Sequence, residues 1–108
     1  MPMSIPASQV NTIYFACEAG MSSSLMSASW LRKRLSAAKI NIAVIPKPAI
    51  EVPGDAQVVI AHKTLVKIIR LKAPNAVILT FSQLLNDPVF DKLIEALVDG
   101  REIFSTEL

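Results

Sequence analysis

The lone cysteine, Cys17, ends an apolar run, Ile13-Tyr14-Phe15-Ala16. It is followed by a loop of mostly small residues, Glu18-Ala19-Gly20-Met21-Ser22-Ser23-Ser24. In order these read as a strand, a thiol, a loop and a helix start. In a parallel α/β sheet the carboxyl ends of strands face the ligand crevice, so a thiol there stands at its mouth. Small side chains let backbone N–H groups converge on an anion. A helix start adds unpaired N–H donors and the positive end of a dipole. The same field lowers a thiol's pKa and populates the thiolate. One short segment therefore offers a nucleophile beside a cradle for a doubly charged oxyanion. The bland alternative is a cysteine acting as a small buried hydrophobe. The coincidence of strand end, small-residue loop and helix start favours chemistry.

Three chemistries use a cysteine in such a loop. A phosphatase of the Cys-x5-Arg type needs a guanidinium to clamp the transferring phosphoryl group, but the sixth residue after Cys17 is Ser23. Asn86-Asp87-Pro88 offers only a superficial general-acid loop. Thiol redox chemistry needs a Cys-x-x-Cys pair or a resolving cysteine, and the chain has neither. Phosphoryl relay needs a nucleophile and an N–H cradle and no water-activating base, because hydrolysis would waste the phosphate. The residues fit relay best.

The elements that must position this segment follow from periodicity. Residues 11–16 form a first strand, apolar and rich in β formers. From Ser23 or Ser24 to about Ala38 the period becomes helical, with Leu25, Ala28, Leu31, Leu35 and Ala38 on one face. Trp30 reads as a packing residue, and Arg32, Lys33 and Arg34 as a solvated surface. A second strand is expected over Ile40–Ile45. Three prolines and Gly54 between Pro46 and Gly54 then allow at most a short helical turn. A third strand runs over Ala56–Ala61 with His62-Lys63-Thr64 at its carboxyl end, followed by a helix through Leu65, Ile68, Ile69 and Lys72. Ala76–Thr80 is the fourth strand, and residues 81–86 a loop on the same side of the sheet. Asp87 caps a last helix with Pro88 at its first position, and Gly100 ends it. Phe90, Leu93, Ile94 and Leu97 form its buried stripe, while Asp87, Asp91, Glu95 and Asp99 form a solvent-facing row.

This alternation predicts an α/β fold: a four-stranded parallel sheet flanked by helices, in strand order 2-1-3-4. The cysteine loop then follows strand 1 at the switch between strands 1 and 3. Residues 1–10 read as a flexible arm, 11–100 as the domain and 101–108 as a tail. A hydrophobic fraction of 52% and a mean hydropathy of +0.45 fit a sheet buried on both faces. No apolar run approaches the roughly 20 residues that span a bilayer. The start lacks a basic n-region, so no secretory signal is expected. One cysteine and one histidine argue against a metal cluster, and no cofactor is expected. The net charge is +2, with nine of 11 basic residues between Arg32 and Lys72 and six of nine acidic residues from Asp87 onward. No basic run is interleaved with aromatics, which argues against nucleic-acid binding.

Residues 16–29, from Ala16-Cys17-Glu18-Ala19-Gly20-Met21 through Ser29, with Leu31-Arg32-Lys33 beyond, resemble the phosphocysteine motif of mannitol-type EIIB domains. These belong to the bacterial phosphoenolpyruvate-dependent sugar phosphotransferase system (PTS). Val52-Pro53, then Val58-Val59-Ile60-Ala61-His62-Lys63-Thr64-Leu65, and Leu84-Leu85-Asn86-Asp87 are similar to the same family. The likeness spans about Asn11 to Gly100. It implies that Cys17 accepts phosphate from a phosphohistidine on an EIIA partner and donates it to a hexitol held by an EIIC membrane partner. It places the chain in the cytoplasm, at the inner face of the membrane when docked. It assigns Glu18, Ala19, Gly20, Met21, Ser22, Ser23 and Ser24 to the phosphate loop, and His62 matches a histidine position of the family. The motif usually has glycine where this chain has Ser22 and Ser27, alanine at Leu25 and aspartate at Glu18. If position 22 needs φ > 0, serine is costly there. That departure keeps open the alternative of a degenerate or regulatory binding module.

Overall fold

The computed structural model describes residues 4–17, 23–81 and 88–104. Its elements in order are β1 (Ser4–Pro6), β2 (Thr12–Cys17), α1 (Ser23–Ala37), β3 (Ala43–Pro48), β4 (Val58–His62), α2 (Val66–Lys72), β5 (Val77–Phe81), α3 (Pro88–Asp99) and β6 (Glu102–Phe104). Short 3₁₀ turns lie at Ala7–Gln9, Ala49–Glu51 and Lys63–Leu65. Four strands form a parallel sheet in the order β3-β2-β4-β5. This is the order expected from the sequence, with the cysteine strand in the interior of the sheet.

Strand pleating sends alternate side chains to opposite faces, and the two faces are covered differently. Ile13, Phe15, Val58, Ile60, Val77, Leu79 and Phe81 pack with Ala28, Leu31 and Leu35 of α1 and Val89, Phe90 and Leu93 of α3. Ala16, Val59, Ala61 and Ile78 pack on the other face with Leu65, Ile69 and Ala73. Of the stripe expected in α1, Ala28, Leu31 and Leu35 are at most 1% exposed, Ala38 is half-buried just past the helix end, and the side chain of Leu25 lies outside the described residues. Trp30 packs edge-on against Phe90, at 5.2 Å between ring centroids.

The strand expected at Ile40–Ile45 lies three residues later, at Ala43–Pro48. Ile40 is used instead to close α1. Its N–H bonds the Leu35 carbonyl at 2.8 Å, Lys39 N–H bonds the Ser36 carbonyl at 3.0 Å, and Lys39 takes φ 60°. This is a Schellman closure, in which the apolar residue after the left-handed one returns to the helix. Pro46 and Pro48 are tolerated in β3 because it is an edge strand with one unpaired side. The Pro-rich crossover holds one 3₁₀ turn, Ala49–Glu51, as its composition allows.

The expectation of a loose arm and a trailing tail is corrected for two segments. Ser4–Pro6 pairs antiparallel with Glu102–Phe104, with Ile5 opposite Ile103. Ala7, Val10 and Ile103 are buried in the α1/α3 core, so burial of apolar side chains recruits both ends. Polar side chains tie the elements together. Gln57 Nε2 donates to the Gln9 carbonyl at 2.7 Å, and its Oε1 accepts from Asn11 N–H at 2.7 Å. Arg32, expected only on a solvated surface, donates to the Val44 carbonyl of β3 at 2.7 Å. Arg34 pairs with Asp91 of α3 at 2.9 Å and lies over the Trp30 ring.

Candidate functional site

The carboxyl ends of the four parallel strands form one edge. Cys17 is the last residue of β2 and is paired with Pro48, the last residue of β3. His62 ends β4 and is paired with Phe81, which ends β5. The β2–β4 register runs from Ile13↔Val58 to Phe15↔Ile60. Both strands run two residues beyond that pairing, to Cys17 and His62, at the same carboxyl edge of the sheet. The edge row is thus Pro48, Cys17, His62, Phe81. This is the crevice side of an open α/β sheet, at the point where the chain order reverses between β3-β2 and β4-β5.

α1 begins at Ser23, with five residues between it and the end of β2. Strand end and helix start are thus separated by residues 18–22, the segment read as the phosphate loop. Glu18, Ala19, Gly20, Met21 and Ser22 lie outside the described residues, as do residues 82–86 of the 81–86 loop expected on the same edge; Phe81, expected in that loop, instead ends β5. Ser23 and Ser24 open α1, whose first turn leaves backbone N–H groups without intrahelical partners. The helix carries no acidic residue in that turn to compete for them.

His62 is partly exposed and makes well-defined contacts. Its Nδ1 accepts from Thr64 N–H at 3.2 Å and lies 2.9 Å from Thr64 Oγ1, which caps the 3₁₀ turn Lys63–Leu65. The imidazole packs edge-on against Phe81, at 5.7 Å and 88°. Phe81 in turn belongs to a cluster with Phe15 and Phe90, at centroid distances of 5.8 to 6.1 Å. The edge therefore stands on a stack of aromatic rings between sheet and helices. Thr64 and Phe81 were not singled out in the sequence. The signal for Thr64 was its place two residues after a strand-end histidine, a spacing at which a side-chain acceptor closes a turn. Among the described residues, no group of three or more His, Cys, Asp or Glu side chains is placed to hold a metal ion. No helix of the described residues is long and apolar enough to cross a membrane.

Cys17 thus closes an interior parallel strand, five intervening residues ahead of α1, and the sequence holds no second cysteine for a redox pair. The family model described as "PTS system, Lactose/Cellobiose specific IIB subunit" matches residues 12–96. The chain belongs to this family and is an EIIB domain of the PTS. It is 44% identical over 88 residues to the mannitol-specific EIICB component of Bacillus subtilis (strain 168), covering 82% of this chain and 18% of that protein. It is 43% identical over 93 residues to the mannitol-specific EIICB component of Geobacillus stearothermophilus, covering 86% and 20%. The relative from Staphylococcus saprophyticus, of the same description, is 42% identical over 91 residues. The chain spans about a fifth of the length of these relatives. The family model carries a lactose/cellobiose description, whereas these relatives are named for mannitol.

Proposed function

We propose that this domain relays phosphate through Cys17 during sugar uptake. The thiolate sulfur attacks the phosphorus of a phosphohistidine on an EIIA partner. The P–N bond breaks, and its electron pair returns to the imidazole of the donor. The product is S-phosphocysteine. A sugar hydroxyl, held by an EIIC membrane partner, then attacks phosphorus. The S–P bond breaks, the thiolate is regenerated, and the hydroxyl proton leaves with a base of the acceptor site. Backbone N–H groups from Gly20 to Ser24, with the Ser23 and Ser24 hydroxyls, take the phosphoryl oxygens. With serine rather than arginine at position 23, the loop lacks the guanidinium clamp of a phosphatase, which suits a carrier that must not hydrolyse its cargo. The relay unit is residues 11–100, which bracket the family match.

The observation that carries this reading is family membership combined with Cys17 at the end of β2, ahead of α1. The mannitol-specific names of the relatives favour a hexitol such as mannitol as acceptor. Their description as EIICB components favours an EIIC membrane partner, and hence work at the cytoplasmic face of a membrane. The test is intact mass after incubation with phosphoenolpyruvate, the general relay proteins and a mannitol-type EIIA. The expected result is an adduct of about 80 Da, absent from Cys17→Ala, since a thiolate nucleophile is the acceptor. A folded chain that takes no adduct from a competent EIIA overturns the relay and favours a binding module, for which the departure at Ser22 is the specific pointer. Ser22→Gly is then the variant that separates a damaged cradle from an absent one.

A further inference from the structure

We propose that the outer face of α2 rests on the anionic headgroups of a membrane, with Leu71 and Ile68 pressed into the interface and Lys63, Lys67 and Lys72 against lipid phosphates. The assignment rests on the reading that this domain works beside an EIIC membrane partner, and it adds a lipid contact to that reading.

The packing of α2 defines the face. Ile69 and Ala73 are fully buried on the sheet side. At 3.6 residues per turn, the position opposite that pair is Leu71. Leu71 is accordingly 83% exposed, and Ile68, its i−3 neighbour on the helix surface, is 37% exposed. Ile50, 58% exposed, stands on the 3₁₀ turn that packs against α2. The other large apolar side chains left exposed among the described residues, Val98 and Phe104, lie on α3 and β6.

The same face is cationic. Lys63, Lys67 and Lys72 are exposed, and among the described residues none of the three has an ion-pair partner. Arg70 is left out of the count, because its guanidinium donates to the Pro74 and Ala76 carbonyls. No acidic residue occurs between Asp55 and Asp87. The carboxylates nearest before the helix, Glu51 and Asp55, sit in the crossover that leads into β4.

An exposed leucine among unpaired lysines matches a partner that is anionic at its surface and apolar just beneath, which is the layering of a bilayer interface. A second copy is disfavoured, because an isologous contact sets the same lysines against each other. A membrane is favoured over an acidic protein because the EIIC partner already holds the domain beside lipid, where even a weak contact is populated. α2 has seven residues and lies on the interface without spanning it. It covers a face of the sheet, so this contact leaves the carboxyl edge open.

The test is sedimentation of the full chain with vesicles of phosphatidylcholine alone and of phosphatidylcholine mixed with phosphatidylglycerol. Binding to the mixed vesicles is expected, and binding to the neutral ones about tenfold weaker. It falls as ionic strength rises from about 0.01 to about 0.1 M and the Debye length shrinks from about 30 to about 10 Å. The double variant Lys67→Gln/Lys72→Gln weakens binding about tenfold, and Leu71→Gln weakens it about threefold. Val98→Gln, which removes an exposed apolar side chain elsewhere, leaves binding unchanged. All these side chains are exposed, so the thermal midpoints stay at the wild-type value. No binding to the mixed vesicles at low salt, or equal binding to both kinds, overturns the proposal. Binding that survives both the lysine and the leucine variants overturns it too, because another surface then carries it. If the variants instead slow phosphate loading from soluble EIIA in the absence of vesicles, the face docks a protein and the lipid assignment falls. Cys17→Ala binds vesicles as the wild type does, so a failed relay, read as a missing phosphate adduct, is distinguished from a failed lipid contact.

Discussion

The two faces of the parallel sheet are built from different material. The face under α1 and α3 carries Phe15, Phe81 and Phe90 with Leu31, Leu35 and Leu93, and among the described residues only two of its 17 buried ones are alanine. On the face under α2, six of the 11 buried residues are alanine. Large rings keep a helix at a distance and need long helices to cover them, which here have 15 and 12 residues. Alanine methyls let a seven-residue helix and a 3₁₀ turn lie close to the strands. The functional edge rests on the first kind of packing. His62 sits against Phe81, and Phe15 precedes Cys17 by two residues. The edge at which the relay is proposed is thus set over close-packed rings, while the small-residue face serves to bring the chain back for the next parallel strand.

The contrast breaks first if the ring face can lose its centre cheaply. Phe90 is 1% exposed and touches Phe15, Phe81 and Trp30. Phe90→Ala removes the shared partner of three rings and leaves a cavity that two helices cannot close. The expected loss is about 3–5 kcal/mol, read from urea unfolding followed by far-UV circular dichroism. That is a large share of the roughly 5–15 kcal/mol by which such domains are stable. A loss near 1 kcal/mol would show that the ring face repacks and does not hold the edge rigidly.

The small-residue face predicts the opposite sensitivity. Ala61 of β4 is fully buried next to His62. Ala61→Leu adds three heavy atoms to the buried cluster that holds Leu65, Ile69 and Ala73, so overpacking rather than a cavity sets the cost, about 1–3 kcal/mol. The same unfolding measurement checks it. Unchanged stability would mean that this face has slack, and that its alanines are not what lets α2 approach.

Much of this architecture was legible in the chain, and the places where it was not have physical reasons. Strand order followed from short apolar runs alternating with helical ones. The ends of α3 followed from Pro88 and Gly100, whose backbone requirements are local. β3 was misplaced because Ile40 and Ile42 are good β formers and prolines are poor ones. Tertiary context overrode both: Ile40 closes α1, and an edge strand accepts Pro46 and Pro48. The β1–β6 ribbon escaped notice because three-residue strands have no readable period and their partners lie almost a hundred residues apart. At the candidate site, Cys17 was legible as a strand end, while the loop expected after it lies outside the described residues. The pairing of His62 with Thr64 was not, because a side-chain cap two residues long leaves no mark on hydrophobic patterning.

The smallest effect distinguishes the two helices that cover the ring face. Both end in the same closure, with a left-handed residue followed by an N–H that reaches back to the helix. In α3 the left-handed residue is Gly100, at φ 71°, and Arg101 N–H bonds the Ala96 carbonyl at 2.9 Å. In α1 it is Lys39, at φ 60°. A side chain in that region carries a steric cost of roughly 1–2 kcal/mol that glycine does not. Part of this gain is offset by the greater freedom of glycine in the unfolded chain. Lys39→Gly is therefore expected to stabilise by about 0.5–1 kcal/mol. Gly100→Ala is expected to cost about 1 kcal/mol from backbone strain alone, since an added Cβ would meet nothing within 4 Å. Equilibrium unfolding of the two variants side by side is the check. If Lys39→Gly destabilises instead, the lysine contributes more than a turn, and the end of α1, where Ile40 and Leu35 join the ring face, depends on its side chain.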